Sequence, residues 1–202
     1  MGVSCNSCGG MYLKCKCKIE EPVEVFGGPV EVTGGSVTDP LIVDSALTQA
    51  NLEGKMYIVN TDTQLLSGTN DNLSLILTNP MNSGVIAISD FVSVTALDTN
   101  FSVGIRRNPV YSGGTTTTLT PRNLNTAFPD NAQITAVRQQ GNTTVTSGDL
   151  LSRLLIQQGG EAIFPFSGRL VLTPGNSISI TGNVFAGNRS VAVGTSWIEI
   201  PL

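Results

Sequence analysis

The stretch Gly84-Val85-Ile86-Ala87-Ile88-Ser89-Asp90-Phe91-Val92-Ser93-Val94-Thr95-Ala96-Leu97 decides the fold class of this chain. It is rich in β-branched side chains, and after the apolar run 85–88 it alternates apolar with polar residues from Val92 to Ala96. Both properties are typical of half-buried β-strands. We therefore predict two strands here, over residues 84–89 and 91–97.

Similar runs recur from residue 36 to the C-terminus, and turn sequences such as Ser112-Gly113-Gly114 and Gln140-Gly141-Asn142 separate them. Many short strands at spacings of about ten residues indicate a sandwich or a closed barrel. We expect an all-β, jelly-roll-like antiparallel β-sandwich over residues 36–202. The further predicted strands are residues 40–43, 55–60, 73–78, 101–106, 133–138, 154–157, 162–166, 169–172, 177–181, 190–193 and 196–200.

Two segments carry weak helical signals. Residues 48–52 are too few to form an independent helix. Residues 149–155 have leucines spaced four apart after an acidic start, which favours a short helical turn. A hairpin strand is the alternative for this second segment, because Gly159-Gly160 and an apolar run follow it.

The composition excludes several classes of protein. Of the 202 residues, 13% are charged and 40% are hydrophobic, and the formal net charge is −4. Disordered proteins have more charge and less hydrophobicity, and proteins that bind nucleic acid are usually basic. No apolar run approaches the ~20 residues that a membrane span needs. We expect no nucleic-acid partner, no membrane insertion, and synthesis in the cytoplasm without a signal peptide.

All four cysteines lie in an N-terminal arm, residues 1–18, at Cys5, Cys8, Cys15 and Cys17. Two thiolate pairs at this spacing form a set that could bind one structural zinc ion in tetrahedral geometry. Disulfides within the arm or between subunits are the competing interpretation. Either chemistry makes the arm a connector, because thiols outside the body cannot cross-link its core.

A tandem repeat follows the arm: Pro22-Val23-Glu24-Val25-Phe26-Gly27-Gly28, then Pro29-Val30-Glu31-Val32-Thr33-Gly34-Gly35. We interpret residues 19–35 as a β linker, either an edge hairpin or a stalk that pairs with another subunit. The predicted assembly residues are Pro22, Val23, Val25, Phe26, Pro29, Val30 and Val32. Three arm lysines precede the acidic residues Glu20, Glu21, Glu24 and Glu31, so arms could pair head to tail, unless these charges are only solvated.

The chain contains no histidine, which excludes Ser-His-Asp and Cys-His catalysis. We interpret Asp90, Asp98, Asp130 and Glu161 as turn or cap residues, and we predict that the protein is not an enzyme. The only tryptophan, Trp197, lies in an alternating run that closes the core, with Glu199 on the same face.

Residues 107–115 and 119–125 resemble a segment of jelly-roll-type structural proteins in tailed bacteriophage virions: a strand ending in Asn108-Pro109, a Gly-Gly-Thr turn, then Leu119-Thr120-Pro121. Residues 168–177 and Trp197-Ile198-Glu199 are similar to the end of those modules. The resemblance spans about residues 55–202. It implies a virion component, capsid-associated or fibre-forming, with other virion proteins as partners.

The cysteine arm is similar to the N-terminal connectors of bacterial endospore appendage subunits, which tie successive subunits into fibres through disulfides. We therefore expect a structural subunit that assembles with copies of itself through its arm, in a virion or on an extracellular surface. The leading identity is a bacteriophage virion component, and the alternative is a bacterial extracellular filament subunit. A carbohydrate-binding module is a third, weaker interpretation.

Overall fold

A computed structural model describes residues 24–25, 28–29, 46–68, 71–98, 100–166, 169–183 and 189–202. The chain divides into two compact units, Met1–Val43 and Asp44–Leu202. In the first unit, β1 (Glu24–Val25) pairs antiparallel with β2 (Gly28–Pro29). This short pairing joins the first repeat to the start of the second. The predicted strand at residues 40–43 lies outside the described residues.

The second unit is built almost entirely of strands. One seven-residue helix, α1, precedes them and ends in a turn where Lys55 N–H donates to Ala50 O over 2.8 Å. The elements in chain order are α1 (Ala46–Leu52), β3 (Met56–Asn60), β4 (Gln64–Leu66), β5 (Asp71–Thr78), β6 (Val85–Ala96), β7 (Phe101–Leu119), β8 (Arg122–Asn123), β9 (Thr135–Ile156), β10 (Gly160–Pro165), β11 (Val171–Leu172), β12 (Ser177–Asn183) and β13 (Arg189–Pro201).

The first sheet has the strand order β10-β6-β13-β3-β8, with β11 added beside β6 and β4 beside β13. The two strands predicted around Asp90 are one continuous strand, β6, and the predicted break is a β-bulge. Ser196 of β13 pairs with Phe91, and Trp197 pairs with Ser89, so Asp90 is the extra residue. The bulge shifts the alternation by one position, so buried residues lie on one face before and after it.

In the second sheet β12, β5, β9 and β7 pair in a ring, but different parts of β9 pair with β5 and with the start of β7, so residues 149–156 keep one open edge. β7 and β9 pair along most of their length, from Phe101 opposite Ile156 to Leu119 opposite Ala136. β5 pairs with the first part of β9, whereas β12 joins β5 to the first part of β7. The paired strands β7 and β9 form one long two-stranded ribbon. One end of this ribbon pairs with β12 and the other end pairs with β5, so the ribbon must bend in its middle.

The bend lies where the sequence predicts turns. Gly113 and Gly114 have positive φ, and the register between β7 and β9 shifts here. Residues 112–114 and 140–142 are therefore not loops between strands, as predicted, but irregular positions within β7 and β9. Glycine permits the left-handed conformation that redirects a strand without ending it. Because glycines redirect β9 without ending it, the predicted strands at 133–138 and 154–157 are the two ends of this one strand. Residues 149–155 belong to it as well, so they form a strand and not a helix.

The hydrophobic core contains buried side chains from both sheets, which confirms the expected all-β antiparallel sandwich. The fully buried apolar residues include Val92, Val94, Val191, Val193 and Trp197 from the first sheet and Leu73, Leu75, Phe101, Val103 and Ile180 from the second. The opposite face of β12 bears hydroxyl groups, and the Tyr111 hydroxyl from the bent ribbon donates to Ser179 Oγ over 2.6 Å. This hydrogen bond holds the bend of the ribbon against the outer face of β12.

We predict that Gly114→Ala destabilises the body more than Gly84→Ala does. Both glycines have positive φ, so each substitution carries a strain of about 1 kcal/mol. A Cβ at Gly84 meets no atom within 4 Å, but one at Gly114 lies 2.7 Å from Gln140 O and against the Thr143 methyl. That overlap adds about 1 to 3 kcal/mol. Urea unfolding monitored by circular dichroism measures both losses, and equal losses would contradict a tightly packed bend.

Candidate assembly surface

The predicted assembly residues belong to the first unit. Val25 lies in β1 and Pro29 in β2. The predicted residues outside the described part of the chain are Cys5, Cys8, Cys15, Cys17, Pro22, Val23, Phe26, Val30 and Val32. Among the described residues, no group of three or more potential metal ligands comes together. The zinc and disulfide interpretations of the arm therefore remain predictions.

The body has two open strand edges that lie beside each other. Residues 149–156 of β9 pair with β7 on one side, while β5 reaches only the first part of β9. β10 pairs with β6 on one side. Within the described residues, the outer edges of these two segments have no strand partner, and their backbone groups can pair with another strand.

An apolar groove of about 410 Å³ lies between these two edges. Leu151 and Leu154 line it from β9, and Phe164 and Pro165 line it from β10. The remaining lining residues are Ile105, Ser152, Phe166, Arg169 and Leu170. Leu154, Phe164, Phe166 and Leu170 also pack against the core cluster, so the floor of the groove is the edge of the core itself.

The two edge strands that border the groove also carry large exposed apolar side chains. Leu151 is 49% exposed, Leu155 is 80% exposed and Ile163 on β10 is 61% exposed. Such a concentration of exposed apolar residues beside a groove marks an interaction surface more often than isolated exposed leucines do. Only one basic residue, Arg169, lines the groove, and within the described chain neither Arg169 nor Arg153 on β9 forms an ion pair.

The sequence did not identify this groove as a site, although a signal for it was present. Residues 149–155 contain four leucines, which is more than one buried face of a half-buried strand or a short helix can hold. In the structure Leu150, Leu151 and Leu155 are exposed. An exposed apolar run in an edge strand is a recognisable hazard for aggregation and a recognisable interface. The sequence alternative of a hairpin places the next strand beside this one, but β10 pairs with β6 in the other sheet and does not pair with β9, so a groove and not a hairpin separates them.

The face shared by Trp197 and Glu199 is confirmed, and both side chains are buried. The Glu199 carboxylate accepts hydrogen bonds from the backbone N–H groups of Gln133 and Ile134, each over 3.0 Å, and from Trp197 Nε1 over 3.1 Å. Tyr57 stacks on Trp197 with ring centroids 6.2 Å apart. Burial, together with the charge of Glu199, raises the pKa of Tyr57. This cluster closes the core and does not present its indole to a sugar.

Of the four acids interpreted as turn or cap residues, Asp98 and Asp130 accept from backbone N–H groups as such residues do, whereas for Asp90, which lies inside β6, the interpretation is wrong. Asp90 accepts from Ser196 Oγ at the bulge, and Asp98 accepts from Ser190 N–H, both over 3.0 Å. Asp130 accepts from Arg122 Nη1 and from Asn123 N–H, both over 2.7 Å. These hydrogen bonds, the one from Arg122 above all, hold the pKa of Asp130 below its usual value. Glu161 is exposed on β10.

Comparison with known proteins finds no matching family model, no similar curated protein and no similar solved structure. In the described part of the chain, no helix has the length and apolar character to cross a membrane.

We predict that Glu199→Leu lowers the free energy of unfolding by about 3 kcal/mol or more. The substitution leaves two buried N–H donors, those of Ile134 and Trp197, and the partly buried Gln133 N–H without their acceptor, and each unsatisfied buried donor costs about 1 to 3 kcal/mol. Urea unfolding monitored by Trp197 fluorescence measures the loss, and the emission maximum reports the altered indole. Glu161→Leu on an exposed site is the matched control. Equal stability of the two variants would show that Glu199 does not anchor the C-terminal strand.

Proposed function

We propose that this chain is a non-enzymatic structural subunit that self-assembles through its N-terminal arm as a component of a bacteriophage virion. The observation that carries the proposal is a compact two-sheet body with open apolar edges, joined to an arm that bears every cysteine of the chain. Such a body offers surfaces to neighbouring copies, and such an arm has no thiol partner in its own body. Other virion structural proteins are the further partners that this role implies.

The use of charge in the body supports a structural role. Glu199, Asp90, Asp98 and Asp130 all accept hydrogen bonds that join one strand or turn to another. Catalytic carboxylates need a free face toward a substrate, whereas these carboxylates are engaged in holding the fold. The low fraction of charged residues, 13%, also suits a surface that neighbouring copies cover.

The second candidate is a subunit of a bacterial extracellular filament. The cysteine arm favours it, because thiols at a chain terminus can join successive subunits covalently once they reach an oxidising environment. Negative-stain electron microscopy of the purified full-length chain separates the two candidates, since a filament and a closed particle differ in shape. Both candidates require the same property, which is assembly through the arm.

We expect deletion of residues 1–18 to abolish assembly and to leave the body folded. The deleted residues lie outside the described strands, so the sandwich keeps its core contacts. Sedimentation velocity measures the assembled fraction, and circular dichroism with urea unfolding measures the fold. Normal assembly of the shortened chain would contradict the proposed role of the arm.

The chemistry of the cysteines can be decided by two measurements on the assembled protein. A zinc site predicts about one zinc ion per chain by elemental analysis and loss of assembly with a chelator. Disulfides predict ladders on SDS gels that collapse with reductant. Replacing Cys5, Cys8, Cys15 and Cys17 with serine removes either linkage without shortening the arm. An assembly that keeps its full stability after this replacement would contradict both.

A further inference from the structure

We propose that the groove between β9 and β10 receives residues 22–32 from the β linker (residues 19–35) that follows the arm of a second copy of this chain. The inference rests on the proposed self-assembly and names the surface on which the arm docks. In this arrangement the β1–β2 pair of one copy, Glu24–Val25 with Gly28–Pro29, enters between two sheet edges of the next, and one of its strands adds to an edge.

The first argument is the unpaired backbone. The outer edges of residues 149–156 and of β10 have no strand partner in the described structure. An extended segment that enters the groove can pair with either edge and so satisfy N–H and C=O groups that otherwise depend on water. Addition of a strand to a sheet edge is a common way for proteins to recognise peptides.

The second argument is the match between the groove and the repeat. A volume of about 410 Å³ is more than ten times the ~30 Å³ that a water molecule occupies in the liquid, so the groove accommodates side chains. In an extended strand, Val23 and Val25 lie on one face, and Glu24 lies on the other. One face of the repeat can therefore fill an apolar groove while the other stays in water.

The third argument is charge. Arg169 lines the groove and is itself exposed, and Arg153 is exposed on β9, so both are accessible to the solvent-facing glutamates of the repeat; neither has an ion-pair partner within the described chain. The linker is acidic, with Glu24 and Glu31 one in each repeat and two further glutamates just before them. An acidic segment beside these arginines places opposite charges together, which favours this occupant over a basic or neutral one.

The fourth argument is reach. The 13 residues between residue 32 and the start of α1 at Ala46 span at most ~45 Å when fully extended, which gives the repeat room to leave its own body. The cysteines are compatible with the neighbour, because the body contains no thiol and any covalent link between copies must therefore join arm to arm.

Photo-crosslinking of the full-length chain tests the occupant. Benzoylphenylalanine replaces Leu151 in the groove, or Leu65 on β4 as a control of similar exposure, 59% against 49%. Chains of natural isotope abundance are mixed with ¹⁵N-labelled chains before assembly, and mass spectrometry identifies the crosslinked peptides. We expect crosslinks between residue 151 of one isotope and residues 22–32 of the other. Crosslinks confined to one chain, or to the body of another chain, would overturn the inference.

Matched substitutions test the energetics of docking in the same full-length chain. Leu151→Glu should reduce the association constant about tenfold or more, and Leu65→Glu should leave it unchanged. Arg169→Glu should also weaken association, and Glu24→Lys combined with Glu31→Lys should restore it. The inference fails if Leu151→Glu assembles as well as Leu65→Glu. If the unmodified chain stays monomeric, the proposed function fails as well, so the two failures are distinguishable.

Discussion

The bend in the β7–β9 ribbon is the constraint on which the rest of the body depends. These two strands run for 19 and 22 residues, and the ribbon that they form turns at Gly113 and Gly114 without ending. Once bent, the ribbon contributes to the second sheet twice, and β5 and β12 fill the space between its ends. The Tyr111 hydroxyl, bonded to Ser179, holds the bend over β12.

The same bend creates the surface that we assign to assembly. Since β5 pairs only with the first part of β9, residues 149–156 are left as an edge. β10 is the edge of the other sheet, and the core between the two sheets reaches the surface there. A sandwich must have such edges unless it closes fully, and natural proteins usually cover or charge them. Here the edge bears Leu151, Leu155 and Ile163 instead, which is the pattern of an interface.

The sequence predicts the fold class and most strand positions because alternation depends only on local residue order. The sequence is a poorer guide to the places where a strand bends. Judged from neighbouring residues alone, Gly113 and Gly114 indicate a turn between two strands. Only the pairing of β7 with β9 shows that they are irregular positions inside one strand. Asp90 is a similar case, because a bulge and a loop both interrupt alternation and only the partner strand distinguishes them.

Of the candidate assembly site, only the segment that docks could be predicted from the sequence, and the groove that receives it could not. Cysteine position and the valine repeat are visible in the sequence, whereas the groove forms from residues of two sheets that the fold brings together. Cryo-electron microscopy of the assembled full-length chain tests the account most directly. The account predicts strand-like density for residues 22–32 of one copy between β9 and β10 of the next. Assemblies with an unoccupied groove, or dispersed single chains, would contradict it.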